Sequence, residues 1–279
     1  MIALLIDIGN SRIKWRIANI GLGAGEPRWL SNEQAQTVGE RSELAAAFAS
    51  QAGCAVEAVF FSNVAADAVA SVVRDAVAQT WRDAPIRALR PLARQCDVVN
   101  GYRDPARLGP DRWLAMIGAH ACFPQRSLLV CSFGTATTID LLVAPDASGF
   151  ATFVGGLILP GFDSMRASLE SSTARLPLAD GRAIDFADDT DDAITSGIAV
   201  AQSGAVERAW RTARDRLDPS LRATLLCVLA GGRATTVEHS LAGMDVAVEV
   251  VHDLVLRGIA AVAGETVAPA PLQPHPSPG

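Results

Sequence analysis

The chain has 279 residues, 49% hydrophobic and 19% charged, which suffices for two modest domains or one large one around a well-buried core. A net charge of −6 and a pI near 5.2 speak against a nucleic-acid binder, which needs a basic face to neutralise phosphates, and point to small ligands. Five scattered cysteines (Cys54, Cys96, Cys122, Cys131, Cys227) without a C-x-x-C pair suit reduced core residues, and no apolar run reads as a signal or reaches the ~18 residues of a membrane span, so a cytoplasmic protein without membrane contact is expected.

Ala3-Leu4-Leu5-Ile6 runs into Asp7-Ile8-Gly9-Asn10-Ser11 and then Arg12-Ile13-Lys14-Trp15-Arg16: a strand, a tight polar turn and a second strand. Two readings stand at this point. Gly-Asn is a common turn pair in structural hairpins; alternatively, the turn's backbone N–H groups and Lys14 hold phosphate oxygens while Asp7 orients magnesium through water. Glycines 21, 23 and 25 and Pro27 then suggest turns between meandering strands over 17–36. A helix is expected over Ser42 to Ala52, a buried strand over Ala58 to Ser62, and a helix over Ala65 to Trp81, where Val69, Val72, Val73 and Val77 recur at spacings of three and four. With a further strand over Ile86 to Leu92, the order is an α/β pattern.

Asn100 to Trp113 is dense in loop residues and gathers Tyr102, Asp104, Gly109, Pro110, Asp111 and Arg112 ahead of a helix expected over Leu114 to Cys122. Asp111 near that helix's start is a cap or a functional carboxylate. A second copy of the opening follows. Leu128 to Asp140 places an apolar strand, a turn at Gly134-Thr135 and a β-rich strand in the same order, with Gly134 matching Gly9 and Ser132 opposite Asp7. Two such hairpins, 125 positions apart, suggest a duplicated domain and a cleft suited to a nucleoside triphosphate.

The second half continues as a strand over Thr152 to Gly161, a helix over Phe162 to Ser171, and an acidic loop from Asp180 to Asp192 that reads as solvated. Thr190 is the expected cap of a helix over Asp191 to Arg216. Leu225 to Ala230 forms a strand before Gly231-Gly232, which serve as a turn or as a close approach to ligand. Val246 to Val251 and Leu254 to Ala263 supply a last strand and helix, and the Pro/Ala-rich tail over 267–279 is expected to be disordered.

Taken in order, these segments resemble the type III pantothenate kinases of the acetate and sugar kinase, Hsp70 and actin superfamily. The resemblance rests on Asp7 to Lys14, Tyr102 with Gly109-Pro110-Asp111-Arg112, Gly134 to Asp140, Gly155 to Gly161, Thr173 to Pro177, Thr190 to Gly197 and Gly231-Gly232. It implies two duplicated ribonuclease H-like, actin-like ATPase domains with mixed sheets flanked by helices, here 1–115 and 116–266, with the ligand cleft between them. It implies ATP-dependent phosphorylation of pantothenate to 4'-phosphopantothenate, the first step of coenzyme A biosynthesis. ATP would be held by Asp7, Ile8, Gly9, Asn10, Ser11, Arg12, Ile13, Lys14 and Thr135, with Asp7 near the magnesium. Pantothenate would be held by Tyr102, Gly109, Pro110, Asp111, Arg112 and Thr190, with Asp111 as general base. The resemblance further implies a homodimer in which Thr190 serves the partner's pocket, and a potassium or ammonium ion.

The chemistry agrees, because phosphoryl transfer is mostly positioning and charge stabilisation, and a nearby carboxylate accepts the proton of a poorly acidic alcohol. Arg112 suits the pantothenate carboxylate by its planar fork or else braces the loop. One position departs from the family: where it has an Asp that binds the monovalent cation, this chain has Ser132, a weaker, neutral ligand. Cation dependence is therefore expected to be weakened or absent, or the ion to use other oxygens. The alternatives are a non-catalytic regulatory or nucleotide-binding homologue and a kinase for another small alcohol.

Overall fold

The first apolar run forms strand β1 (Ile2–Ile8) and returns as β2 (Arg12–Asn19), in continuous register from Ile2 opposite Asn19 to Ile8 opposite Ile13. The computed structural model describes residues 1–21, 27–31, 33–172 and 180–267. Strands β3 (Arg28–Trp29), β4 (Gln34–Thr37), β5 (Ala58–Asn63) and β6 (Ile86–Ala88) complete a first sheet in the order β3-β2-β1-β5-β6, with β4 also on β2. Helices α1 (Leu44–Ala49) and α2 (Asp67–Thr80) connect them.

The second sheet contains β7 (Arg94–Gln95), β8 (Val98–Asn100), β9 (Leu128–Phe133), β10 (Ala136–Val143), β11 (Ala151–Pro160), β12 (Leu226–Gly231) and β13 (Val248–Val250), in the order β13-β12-β9-β10-β11-β8-β7. Its helices are α3 (Pro110–Cys122), α4 (Phe162–Ser172), α5 (Thr190–Arg216), α6 (Pro219–Thr224), α7 (Ala234–Leu241) and α8 (Leu254–Val267). The duplication is visible in the pairing. In the first sheet β1 is antiparallel to β2 and parallel to β5, which is parallel to β6. In the second, β9 is antiparallel to β10 and parallel to β12, which is parallel to β13.

Side chains alternate across each strand, so each sheet has two apolar faces. Leu4, Ile6 and Ile8 pack outward against Phe48 of α1 and Val73 and Val77 of α2. Leu129, Cys131 and Phe133 pack outward against Val206 and Trp210 of α5 and Val237 of α7. The inward residues Ala3, Leu5, Leu128 and Val130 share one core with Trp113 and Ile117 of α3 and Ile259 and Val262 of α8. The result is a layered mixed α/β fold in which α3 and α8 lie between the two sheets. These two helices touch at backbone: a methyl group on Gly118 would overlap the Leu254 carbonyl oxygen, and one on Gly258 would overlap that of Leu114. Each glycine follows the partner-touching leucine of its own helix by four residues, so the contact repeats the duplication.

Several boundaries move. Helix α3 starts at Pro110 instead of Leu114, because proline suits the first helical position and Gly109 is extended. The strand expected to Leu92 ends at Ala88. Asp189, not Thr190, caps α5, accepting from the Asp192 N–H at 3.0 Å; its carboxylate is the better-placed acceptor, and the helix begins at Thr190 itself. Strands β7 and β8 precede residue 115 yet extend the second sheet, Val98–Asn100 pairing with Ala151–Phe153. The segment Thr173 to Pro177 and the tail beyond Val267 lie outside the described residues.

Candidate active site

Both hairpins end at the same place. The Ser11 hydroxyl, at the tip between β1 and β2, lies 2.7 Å from the Thr135 hydroxyl, at the tip between β9 and β10. The turns are closed by Gly9 N–H to the Arg12 carbonyl at 2.9 Å and Gly134 N–H to the Ala136 carbonyl at 3.1 Å, and Asn10, Ser11, Gly134 and Thr135 are exposed. The Thr135 carbonyl also accepts from Gly161 N–H and the Ser164 hydroxyl, which fixes the second tip to the start of α4.

Asp7 sits on β1 facing inward, opposite Lys14 on β2 and Ser62 on β5. Its Oδ1 and the Ser62 hydroxyl are buried without a hydrogen-bond partner among the described residues. Burial first, and then the Asp111 charge, push the Asp7 carboxyl up to about 7, against the pull of Lys14. A carboxylate oxygen left unpartnered beside a second carboxylate fits a hydrated divalent cation, which would return Asp7 to its ionised form. Lys14 is 3.4 Å from Glu33, a partly exposed pair of the kind worth about 0–1 kcal/mol, so an anion would displace that pairing at little cost.

The raised value has a stability consequence. A carboxyl whose folded value exceeds its unfolded one favours folding only while protonated, and that contribution is lost as pH rises from the ordinary carboxylate range through about 7. Asp7→Asn in metal-free protein is therefore expected to be more stable than the parent at pH 8 by a few kcal/mol, on the order of the cost of ionising a carboxyl that burial has raised to about 7, and close to it at pH 4. Urea unfolding at both pH values checks this; coincident midpoints at pH 8 would refute it.

Asp111 stands in the first turn of α3 and accepts from the Arg112 N–H at 2.8 Å. Burial raises its carboxyl above the ordinary range, opposed by the Arg112 N–H and charge. Of the two roles open to Arg112, the observed bonds are those of a brace: its guanidinium pairs with Asp140 and donates to the Tyr102 hydroxyl at 2.8 Å. Tyr102 stacks on Phe153, ring centroids 5.3 Å apart. Asp140 was not singled out by sequence reasoning, although a lone carboxylate within the apolar run Ile139 to Leu142 was a usable signal. Ser132 lies half-buried on β9, paired across to Thr138 and Ala230. Thr190 is set apart: it lines an open hollow between α4 and α5 with Met165, Leu169, Asp189 and Ile194, and neither Tyr102 nor Asp111 lines that hollow.

A duplicated fold with two hairpin tips meeting beside an unpartnered carboxylate and a helix-borne Asp is the arrangement that suits a kinase of small molecules. The chain belongs to the type III pantothenate kinase family, whose profile matches residues 3–212. The type III pantothenate kinase of Cupriavidus taiwanensis is 38% identical over 280 residues, covering 93% of this chain and 97% of its own. That of Burkholderia thailandensis is 39% identical over 286 residues, covering 94% and 98%. A crystal structure of a Baf-family protein from Campylobacter jejuni shares the fold, with a TM-score of 0.53 at 18% identity over 94% of this chain and 98% of that one. The family phosphorylates pantothenate in coenzyme A biosynthesis, with ATP and a divalent metal. Among the described residues no helix is long and apolar enough to cross a membrane.

Proposed function

We propose that the inter-sheet site transfers the terminal phosphate of ATP to the terminal hydroxyl of pantothenate, with Asp111 as the general base. The observation that carries this is the convergence of the Ser11 and Thr135 tips on the layer that also holds Asp7 and Asp111, two carboxylates close enough for one to raise the other. The segment Asp7 to Lys14 and Thr135 hold the phosphates through backbone N–H groups, hydroxyls and the Lys14 ammonium. Asp7 would hold magnesium through water, and the ion, when bound, would neutralise phosphate charge. Tyr102, the Gly109 to Arg112 turn and Thr190 hold pantothenate, with Arg112 shaping that turn from behind. Asp111 accepts the hydroxyl proton as the new bond to phosphorus forms.

The two lobes, read as 1–115 and 116–266, are supported by the repeated strand order, although β7 and β8, before residue 115, join the second sheet. Thr190, exposed at the start of α5 and apart from Asp111, is read as serving the pocket of a second copy in a homodimer. Exposed apolar side chains on β11 and α5, Leu157, Ile158 and Val200, support such an interface. A cytoplasmic setting is supported by the five cysteines, which form no disulfide among the described residues.

Purified protein with ATP, magnesium and pantothenate in a coupled assay tests the reading. Pantothenate-dependent ADP formation is expected, and ATP binding without it would favour a non-catalytic role. Because Ser132 offers no carboxylate, replacing potassium or ammonium by sodium is expected to change the rate little; a strong retained requirement would refute that expectation.

A further inference from the structure

Arg112 and Asp140 are 8% and 2% exposed, and their contact is a two-point fork: Nε donates to Oδ2 at 3.1 Å and Nη2 donates to Oδ1. Nη1 donates to the Tyr102 hydroxyl, so three separate pieces of chain meet at one guanidinium. The neighbouring strand leaves room for it. Gly156 stands opposite Asp140 in register, and a methyl group there would overlap Asp140 Oδ1 and crowd Arg112 Nη2. A buried ion pair gains little stability over apolar packing of the same volume, whereas a bidentate fork fixes distance and orientation. What it fixes is specific. Arg112 adjoins Asp111 in the first turn of α3, and Asp140 lies on β10, which begins at the Thr135 tip.

We propose that Asp140 is a positioning residue for phosphoryl transfer, acting through Arg112 to hold the Asp111 turn at a set distance from the hairpin ending in Thr135. This rests on the kinase reading. It makes Gly156 part of the same device, since the fork exists only where β11 carries no side chain.

The test uses the full chain and four variants: Asp140→Asn, Asp140→Glu, Arg112→Ala and the double change Arg112→Ala with Asp140→Asn. Pantothenate-dependent ADP formation by the parent comes first; its absence would remove the kinase reading and this proposal with it. Given that activity, Asp140→Asn is expected to lower kcat on the order of 10²-fold, the effect of displacing a reacting group by about 1 Å, with ATP affinity by calorimetry unchanged. Asp140→Glu, which keeps the charge but lengthens the arm, is expected to lose kcat as well. Free guanidinium ion is expected to restore part of the kcat of Arg112→Ala and none in the double variant, which lacks the carboxylate that would seat it. Parental kcat in Asp140→Asn, absence of rescue in folded Arg112→Ala, or equal rescue in the double variant would each overturn the proposal. Should Asp140→Asn not fold, the rescue of Arg112→Ala alone decides.

Discussion

Asp111→Asn is expected to lower turnover on the order of 10³-fold, within the range for a lost general base, while ATP still binds. The substitution keeps size and the ability to accept from the Arg112 N–H, so the first turn of α3 keeps its shape. What would disappear, on the proposed reading, is the acceptor for the alcohol proton. The parent should also show an acid limb in kcat/KM. Asp111 acts only when ionised, and burial holds its carboxyl above the ordinary range, so activity falls with decreasing pH sooner than it would for an exposed carboxylate. The variant's residual rate should lose the Asp111 part of that limb and keep only what Asp7 imposes. Steady-state rates across pH, with calorimetric titration of ATP, decide the matter; parental turnover in Asp111→Asn would remove it as the base.

Gly258→Ala is expected to reduce the free energy of unfolding by roughly 3 kcal/mol, the upper end of the usual overpacking range. The added methyl would meet the Leu114 carbonyl oxygen, its carbonyl carbon and its Cα. All three are backbone atoms of a packed helix and no rotamer change relieves them, so α3 and α8 must separate inside a core shared by both sheets. Gly118→Ala should behave alike for the mirrored reason. Urea unfolding of each variant against the parent provides the measurement, and an unchanged midpoint would show that the crossing yields easily.

The parts of this fold legible in the sequence are those whose signals are local. The two hairpins carry apolar strands broken by glycine turns, and α2 carries valines at helical spacing, so all were placed correctly. The start of α3 is less legible because Pro110 reads as a loop residue, although proline is at home in a first helical turn. Strands β7 and β8 were missed for a different reason: their connection, Cys96-Asp97, adopts φ of 48° and 59° with neither glycine nor asparagine to announce it. Within the site, Asp7, Asp111 and both tips were visible as motifs. The Arg112 to Asp140 fork was not, because it joins residues 28 apart and depends on a gap in a third strand. Thr190 was named from the resemblance, and its separation from Asp111 emerges only in three dimensions.

The contact between Ser11 and Thr135 latches one hairpin tip to the other. One hydroxyl donates to the other, so on the proposed reading a phosphate arriving at the tips would trade a bond worth about 0.5–1.5 kcal/mol for stronger charge-assisted ones. On the proposed reading, nucleotide would act as a wedge that replaces the latch.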